Sequence, residues 1–148
     1  MKRFYKRPAF WMAIIVIIAG VIIFRGNKMT NIAETAPENG DAQLKTRHYP
    51  ADLQTIKKSV EEIIPKLSTY LRNWRLIKSE SENDSAVIKV EVPVVIFTDD
   101  LKVDLKSEND ETIVNVRSAS RIGRDDFGEN RRHILQLLEK LDKEFAGK

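Results

Sequence analysis

The chain has 148 residues, of which 42% are apolar and 32% are charged, a composition typical of a folded protein and not of a disordered or collagen-like one. It has no cysteine and only two histidines, which excludes a disulfide framework, a thiolate metal site and a cysteine nucleophile. Six of the 25 basic and three of the 22 acidic residues lie in residues 1–43, so residues 44–148 hold 19 of each. Because that part has no excess charge for phosphate binding, we expect no nucleic-acid partner.

An uncharged segment, PAFWMAIIVIIAGVIIF, occupies residues 8–24. As a helix it would measure about 25 Å, slightly less than the ~30 Å hydrocarbon core of a bilayer, and flanking basic side chains can reach the headgroups. Four basic residues precede it and only Arg25 and Lys28 closely follow it, so the positive-inside rule places residues 1–7 in the cytoplasm. We expect a single-pass anchor in the cell inner membrane, with the lipid bilayer as a partner and the following domain outside the cytoplasm.

A cleaved signal peptide is the alternative interpretation of the same segment, since a basic region followed by an apolar region is also typical of signal peptides. The residues that end the apolar run, VIIFRGNK, contain no small-x-small cleavage step. The run is also longer than the usual apolar region of about 7 to 15 residues. These two features favour the uncleaved anchor.

Residues 25–43 show no hydrophobic periodicity and are rich in Asn, Thr, Ala, Gly and acidic residues, as flexible linkers are. Residues 44–148 have the length of one small domain. The sequence therefore predicts four parts: a cytoplasmic basic tail (residues 1–7), the anchor, a flexible linker (25–43) and an extracytoplasmic globular domain (44–148).

The first element of the domain is a helix that follows Pro50, because apolar residues recur there at steps of three and four. Asp52 is its expected N-cap, and Pro65 is expected to kink or break it. The apolar period then changes to two, which predicts a short strand over residues 74–80 and a longer one over residues 86–97. Val95 and Phe97, on the second face of the longer strand, indicate some apolar exposure there.

Residues 98–100 are expected to form the next turn. Leu101 to Lys106 alternate between apolar and charged side chains, which predicts a half-buried strand, and a fourth strand follows over residues 112–120. A second amphipathic helix ends the chain. Its expected start is Asp126, because Asp126 and Glu129 have the spacing of a capping box.

These elements predict an α+β fold, a two-layer sandwich in which a four-stranded antiparallel meander is covered by an N-terminal and a C-terminal helix. One transmembrane helix precedes it. The periodicities also predict five core residues, namely Ile56, Val90, Val103, Val116 and Leu138.

The stretch RSASRIGRDDFGENRRHI, residues 117–134, resembles the hallmark of the bacterial domain-of-unknown-function family 1499, with its R-S-x-S-R-x-G-x-x-D-x-G-x-N pattern. LKTRHYPAD (44–52) and FTDD (97–100) are similar to two weaker features of the family. The resemblance covers residues 44–141 and implies an envelope-associated protein with no assigned reaction. The chain lacks the N-terminal lipoprotein cysteine of some members, and this difference concerns only the mode of anchoring.

The hallmark is rich in arginine, a residue that binds phosphate and carboxylate groups in bidentate geometry. The candidate residues for binding an anion or a partner are Arg117, Ser118, Ser120, Arg121, Arg124 and Arg132. The candidates for a structural role, in turns, caps or internal ion pairs, are Asp99, Asp100, Gly123, Asp126, Gly128 and Asn130.

Two interpretations of the arginines remain open at this stage. They bind an anionic lipid or an acidic partner, or they pair internally with nearby carboxylates and lock the loop. We expect Arg117 and Arg121 to be mainly structural, paired with buried carboxylates. Any binding contribution is expected from Arg124 and Arg132, which are predicted in the loop and on the helix, where Arg131 is also expected to be exposed.

The sequence contains no G-x-S-x-G, H-E-x-x-H, P-loop or dinucleotide-binding pattern, so we assign no catalytic residue, no metal site and no cofactor. The expected function is that of a membrane-anchored envelope accessory protein that binds a lipid, an envelope polymer or a protein. The alternative is an envelope hydrolase that uses Ser118 or Ser120 with His133 and Asp125. A deep cleft with a serine hydroxyl near His133 would favour the hydrolase.

Overall fold

The computed structural model describes residues 31–146 and shows an α+β fold, as predicted: two helices pack on one face of an antiparallel sheet. We call that face the helix side and the opposite one the open face. The elements in chain order are β1 (Ile32–Glu34), β2 (Arg47–Tyr49), α1 (Leu53–Ile63), β3 (Ser68–Thr69), β4 (Arg72–Asn73), β5 (Arg75–Glu82), β6 (Ser85–Val94), β7 (Phe97–Glu108), β8 (Glu111–Ser120) and α2 (Glu129–Phe145).

The predicted meander is present as β5, β6, β7 and β8, which pair in sequence order. Two short strands extend this sheet on the far edge of β8, where β1 pairs with its C-terminal half and β2 with its N-terminal half. The five predicted core residues are all buried. Val90, Val103 and Val116 point to the helix side of the sheet, whereas Ile56 on α1 and Leu138 on α2 lie on the helices that cover it.

Helix α1 begins after the predicted N-cap and ends where Pro65 was expected to kink or break it. The Asp52 carboxylate accepts a hydrogen bond from the Thr55 backbone N–H at 3.0 Å, and the helix ends at Ile63, before a short 3-10 turn that contains Pro65. Helix α2 begins three residues later than expected. Asp126 lies outside it and caps it by accepting from the N–H groups of Gly128 and Asn130.

The turn predicted at residues 98–100 is wrong. The β6–β7 connection is the two-residue turn formed by Val95 and Ile96, and the predicted turn residues belong to β7. Residues that lie opposite each other on neighbouring strands project from the same face of the sheet. A three-residue turn at residues 98–100 would place Val92 opposite Lys106, and the charged Lys106 side chain would then enter the core. A two-residue turn pairs Ile88 with Val103 instead, which puts both apolar sets on the helix side.

The flexible linker predicted for residues 25–43 is wrong for its described part. Ile32–Glu34 forms β1 on the edge of β8, and a 3-10 turn follows at Ala42–Leu44. The reason is tertiary, since a three-residue strand has too few residues to show a period but finds unpaired backbone groups on the β8 edge. The predicted basic tail and anchor, residues 1–24, lie outside the described residues. Within residues 31–146, no helix is long and apolar enough to cross a membrane.

Candidate functional site

The residues of the hallmark divide between the two faces of the sheet at the C-terminal end of β8. Arg117 projects from the open face, where it lies opposite Lys102, whereas Ser118 lies opposite Leu101 and points to the helix side. Alternation along the strand places Arg121 with Arg117 and Ser120 with Ser118. The six residues predicted to bind an anion or a partner therefore cannot form one pocket.

A group of polar side chains is enclosed between this part of the sheet and the start of α2. We call it the buried polar cluster; its members are Asp99, Ser118, Ser120, Asn130 and His133. Asp99 reaches the helix side because it lies opposite Val92 and Ser120 in the register of β7. Ser118 and Asn130 are fully buried, and Asp99 and His133 are 3% and 1% exposed.

Asn130 connects the cluster to three elements of the fold. Its side-chain oxygen accepts a hydrogen bond from the Ser118 hydroxyl at 2.6 Å. Its amide nitrogen donates to the Ser120 hydroxyl and to the Asn31 carbonyl, both at 2.9 Å. Asn130 thus ties β8 and the residue before β1 to the first turn of α2. The structural role of Asn130 stays a prediction, with these hydrogen bonds as its basis.

His133 is the titratable centre of the cluster. Its Nδ1 lies 3.4 Å from the Ser118 hydroxyl and 3.8 Å from Asp99 Oδ2, and its Nε2 lies 3.6 Å from Glu129 Oε2. The Trp74 ring packs edge-on against the imidazole at 5.8 Å between centroids. Burial lowers the pKa of His133 to about 4, although Glu129 acts in the opposite direction. The imidazole is therefore neutral at neutral pH.

Asp99 has an environment that disfavours its charge. Burial raises its pKa, and the nearby carboxylates Asp126, Glu129 and Asp100 raise it further, whereas a hydrogen bond with Ser120 lowers it. Asp99 Oδ2 and His133 Nε2 have no hydrogen-bond partner among residues 31–146. Polar atoms left unpaired in a core reduce stability, so the cluster is not an optimal structural network.

The cluster contains one element of the hydrolase alternative but lacks another. Ser118 is within hydrogen-bond reach of His133, as a nucleophile and its base would be. However, Ser118 has no exposed surface, and neither of two surface pockets, of about 560 and 290 Å³, is lined by it or by His133. Asp125, the proposed third member, instead accepts a hydrogen bond from the Phe127 N–H.

Most of the arginines are engaged in ion pairs within the domain. Arg121 on the open face binds Asp100 and Glu91, with nitrogen-to-oxygen distances of 2.6 and 2.7 Å. Arg75 also pairs with Glu91, and the two guanidinium groups lower the pKa of that carboxyl. Arg117 lies 3.7 Å from Glu34. Both arginines pair internally, but Arg117, Arg121, Glu34 and Asp100 are exposed, and the carboxylate of Glu91 is half-buried at 17% exposure. None of the three partners is the fully buried carboxylate that was predicted.

The remaining arginines differ from one another. Arg131 is half-buried and binds Asp41 at 2.6 Å, which lowers the pKa of Asp41, so the expectation of an exposed Arg131 is wrong. Arg132 pairs with Glu129 at the start of α2 and remains exposed. Arg124 is exposed and makes no ion pair with any residue of the described part of the chain. It is the arginine most available for a ligand.

Gly123 and Gly128 shape the loop that carries Arg124. Their φ angles are +99° and +81°, a conformation that glycine adopts without the strain of a side chain. The Asn31 side chain donates to the Gly123 carbonyl at 3.1 Å and so holds this loop against the start of β1. A structural role for both glycines stays a prediction, with their positive φ angles as its basis.

The same end of the sheet exposes large apolar side chains. We call this region the apolar end; it comprises the β3–β4 hairpin, the β6–β7 turn and the loop after β8, with the exposed residues Tyr70, Leu71, Val95, Ile96, Phe97, Ile122 and Phe127. Of these residues, only Val95 and Phe97 are expected from the sequence to be exposed. The other five fall in turns, where period-two and period-3.6 patterns carry no information.

The burial of two cluster residues, Asn130 and His133, can be read from the sequence but was not predicted above. His133 and Asn130 fall on the same helical stripe as Ile134, Leu137 and Leu141, which predicts that both are buried. Within residues 31–146, no group of three or more His, Asp or Glu side chains is arranged to hold a metal ion.

The fold and the site define an α+β domain with a helix-covered antiparallel sheet and an arginine-rich strand end. The chain matches the family model described as Protein of unknown function (DUF1499) over residues 26–141. The protein belongs to this family. A comparison with curated proteins finds no match for the chain.

Among solved structures, the chain is similar to the Saccharomyces cerevisiae Ran-binding protein Mog1p. The identity is 12%, the alignment covers 78% of each chain and the TM-score is 0.39. A mutant of the protein Mog1 gives the same identity and coverage, with a TM-score of 0.38.

Proposed function

We propose that the protein is a membrane-anchored envelope accessory protein that binds a partner and does not catalyse a reaction. The anchor in this proposal is the segment of residues 8–24, and the charge bias around it places the domain outside the cytoplasm. The single observation that carries the binding role is the surface at one end of the sheet, where apolar side chains and the unpaired Arg124 are exposed together.

The structure favours binding over hydrolysis because of where the reactive groups lie. A nucleophilic serine has to reach a carbonyl or phosphoryl group, and Ser118 is enclosed by the sheet, α2 and the Asn130 side chain. The Ser120 hydroxyl makes no hydrogen bond with His133 and instead accepts one from the Asn130 side-chain amide. A hydrolase would therefore require the start of α2 to separate from β8.

The class of partner follows from the side chains on this surface. Arg124 offers an exposed guanidinium group for a phosphate or a carboxylate, and its charge is not neutralised by an ion pair within residues 31–146. Arg121 and Arg132 lie nearby but already bind carboxylates. The partner in this proposal is an anionic lipid, an envelope polymer or an acidic protein, and Arg124 is its principal charged contact.

Purification of the full chain from detergent-solubilised membranes tests the proposal, with bound lipids and proteins identified by mass spectrometry. Arg124→Ala should reduce the amount of bound species, whereas Lys140→Ala, which removes an exposed charge from the far half of α2, should leave it unchanged. Equal binding by the two variants would contradict the role of Arg124.

The hydrolase alternative has its own test. A hydrolytic activity of the purified chain that is lost in Ser118→Ala but kept in Gln136→Ala would favour the enzyme. Thermal unfolding of both variants has to accompany this test, because Ser118 also supports Asn130.

A further inference from the structure

The two ends of the sheet have turns of similar backbone conformation but of opposite chemistry. Among the described residues, seven side-chain-bearing positions have a positive φ. The three at one end are Asn83, Asn109 and Asp110, which are the residue types that this conformation favours. The four at the apolar end are Tyr70, Leu71, Val95 and Phe127.

Bulky or β-branched residues are unfavourable at positive φ, and they are also unfavourable when exposed to water. At the apolar end both conditions hold at the same residues: Leu71 is fully exposed and Phe127 is 79% exposed. The turns at the other end have Asn or Asp at positive φ, so this sheet is compatible with the residue types that this conformation favours. At four positions the apolar end has a bulky or β-branched residue at positive φ and also exposes it to water. Such a surface indicates contact with an apolar phase or partner.

Hydrogen bonds join the separate loops of the apolar end into one surface. The Arg72 guanidinium donates to the Val95 carbonyl at 2.6 Å, which joins the β3–β4 hairpin to the β6–β7 turn. The Tyr70 hydroxyl donates to Glu129 at 2.6 Å, which joins the same hairpin to the start of α2. The apolar side chains are therefore presented together.

The position of Asn31 indicates that the apolar end contacts the membrane. The Ser120 N–H donates to the Asn31 carbonyl at 2.9 Å, so the chain enters the domain at the apolar end. Only six residues separate Phe24, the last residue of the predicted anchor, from Asn31. The seven Cα-to-Cα steps from Phe24 to Asn31 span at most about 25 Å at ~3.6 Å per step.

That reach is shorter than the sheet itself. Strand β7 has 12 residues and is about 35 to 40 Å long at ~3.3 Å per residue. An upright domain with its polar end on the bilayer would hold Asn31 farther from the membrane than the six residues can extend. The short connection between the predicted anchor and Asn31, residues 25–30, therefore favours an orientation in which the apolar end faces the membrane.

We infer that the apolar end docks on the lipid bilayer that holds the anchor, with the tips of the β3–β4 hairpin, the β6–β7 turn and the loop after β8 inserted at the headgroup boundary. The inference rests on the proposed anchor and names the lipid surface as the occupant of the proposed binding end. Arg72 and Arg124 lie beside the tips and meet lipid phosphates. Because Asp100, Asp125 and Glu129 lie at the same end, insertion depends mainly on apolar contact and only weakly on salt.

Depth-dependent fluorescence quenching tests the inference on the full chain, since a protein without cysteine accepts a unique label at any introduced one. The labelled positions are Leu71→Cys, Ile96→Cys and Ile122→Cys, and the matched controls at the polar end are Asp84→Cys and Glu108→Cys. Each variant carries an environment-sensitive nitrobenzoxadiazole group and is reconstituted into phosphatidylethanolamine–phosphatidylglycerol vesicles with nitroxide-labelled acyl chains.

The expected result is blue-shifted, quenched emission at the three apolar-end positions, persisting in high salt, and unquenched emission at both controls. Quenching equal to that of the controls would overturn the inference. Blue-shifted emission that is not quenched, and that reverts when the protein is diluted in lipid, would overturn it in favour of a second copy of the chain on this surface.

The outcome is separable from that of the proposed function. Vesicle flotation after an alkaline wash reports the anchor alone. A chain that floats without quenching at the apolar end keeps the anchor and refutes the docked orientation. A chain that does not float refutes the anchor and the inference with it.

Discussion

At the scale of single residues, the domain depends on polar side chains where a core normally has apolar ones. Asn130 uses its amide to hold Ser118, Ser120 and the Asn31 carbonyl, so one side chain satisfies three buried or half-buried partners. Buried groups that lose a partner reduce stability by more than the hydrogen bond itself contributes. We therefore expect Asn130 to act through packing, which the following variant tests.

Asn130→Ala should lower the free energy of unfolding by about 2 to 3 kcal/mol, because it removes the acceptor of the buried Ser118 hydroxyl and the amide donor to the Ser120 hydroxyl and the Asn31 carbonyl. Urea unfolding of residues 31–148 measures the change. Gln136→Ala is the control, since Gln136 on the same helix makes only an exposed hydrogen bond to Ser68. Similar losses in the two variants would show that the cluster is not needed for stability.

His133 should make the domain less stable in mild acid. Its folded pKa of about 4 lies below its ordinary value of 6.5, so the unfolded chain binds the proton first as the pH falls. The stability is complete above pH 6.5 and is lost progressively towards pH 4, by up to about 3 kcal/mol for this residue. The raised pKa of Asp99 acts in the opposite direction and reduces the net slope.

Urea unfolding at pH 7.5, 6 and 5 measures that slope. His133→Gln should flatten it, even where the variant is less stable at every pH, because glutamine does not titrate. The same slope in the variant and in the unmodified protein would exclude His133 as its origin.

Arg117 and Arg121 should contribute little to stability, contrary to the sequence expectation of buried pairs. Arg117 and Glu34 are both exposed, and an exposed ion pair contributes about 0 to 1 kcal/mol. Arg121 binds two carboxylates but is itself 44% exposed, so screening by water and salt limits its effect. Alanine at either position should change the free energy of unfolding by under about 1 kcal/mol. A loss of several kcal/mol would indicate coupling to the core that these contacts do not show.

At the scale of secondary-structure elements, the sandwich is stabilised by apolar burial between the helix side of the sheet and the two helices. Val103 lies in the centre of β7 and Leu138 in the middle of α2, and both are almost completely buried. Lys102 follows the same strand but points to the open face, where it pairs with Asp104. The three residues together test the two-layer architecture.

Val103→Ala and Leu138→Ala should each lower the free energy of unfolding by roughly 2 to 4 kcal/mol, because each leaves a cavity that the layers cannot close fully. Lys102→Ala should cost under about 0.5 kcal/mol. Chemical unfolding of the three variants under one condition makes the comparison. Equal, small losses would contradict the observed packing.

At the scale of the whole molecule, the entry of the chain at the apolar end links the fold to its proposed placement. β1 pairs with β8 through Ile32 and Glu34, so a fragment that begins at residue 44 lacks one strand of the sheet. Any separate domain for biophysical work has to begin at or before Asn31, whose carbonyl binds Asn130 and Ser120.

The charge bias around residues 8–24 predicts that Lys148 lies outside the cytoplasm. Protease treatment of intact spheroplasts should remove a C-terminal tag before the inner membrane is disrupted. Cleavage only after disruption would reverse the orientation. A mature N-terminus downstream of Phe24 would replace the anchor with a cleaved signal peptide, the alternative that the sequence leaves open.

The amino-acid sequence by itself determined the local elements and the family. Asp52 and Pro65 set the ends of α1, alternation identified the core residues of the meander, and the hallmark around Arg117 and Asn130 identified the family, because these signals depend on neighbours within a few residues. The tertiary structure alone decided the two-residue turn at Val95 and the recruitment of β1 from the predicted linker. It also decided the enclosure of Ser118 and His133 and the gathering of apolar loop tips at one end. Each of these depends on which face and which strand edge distant segments share, and that is set by strand register and helix packing.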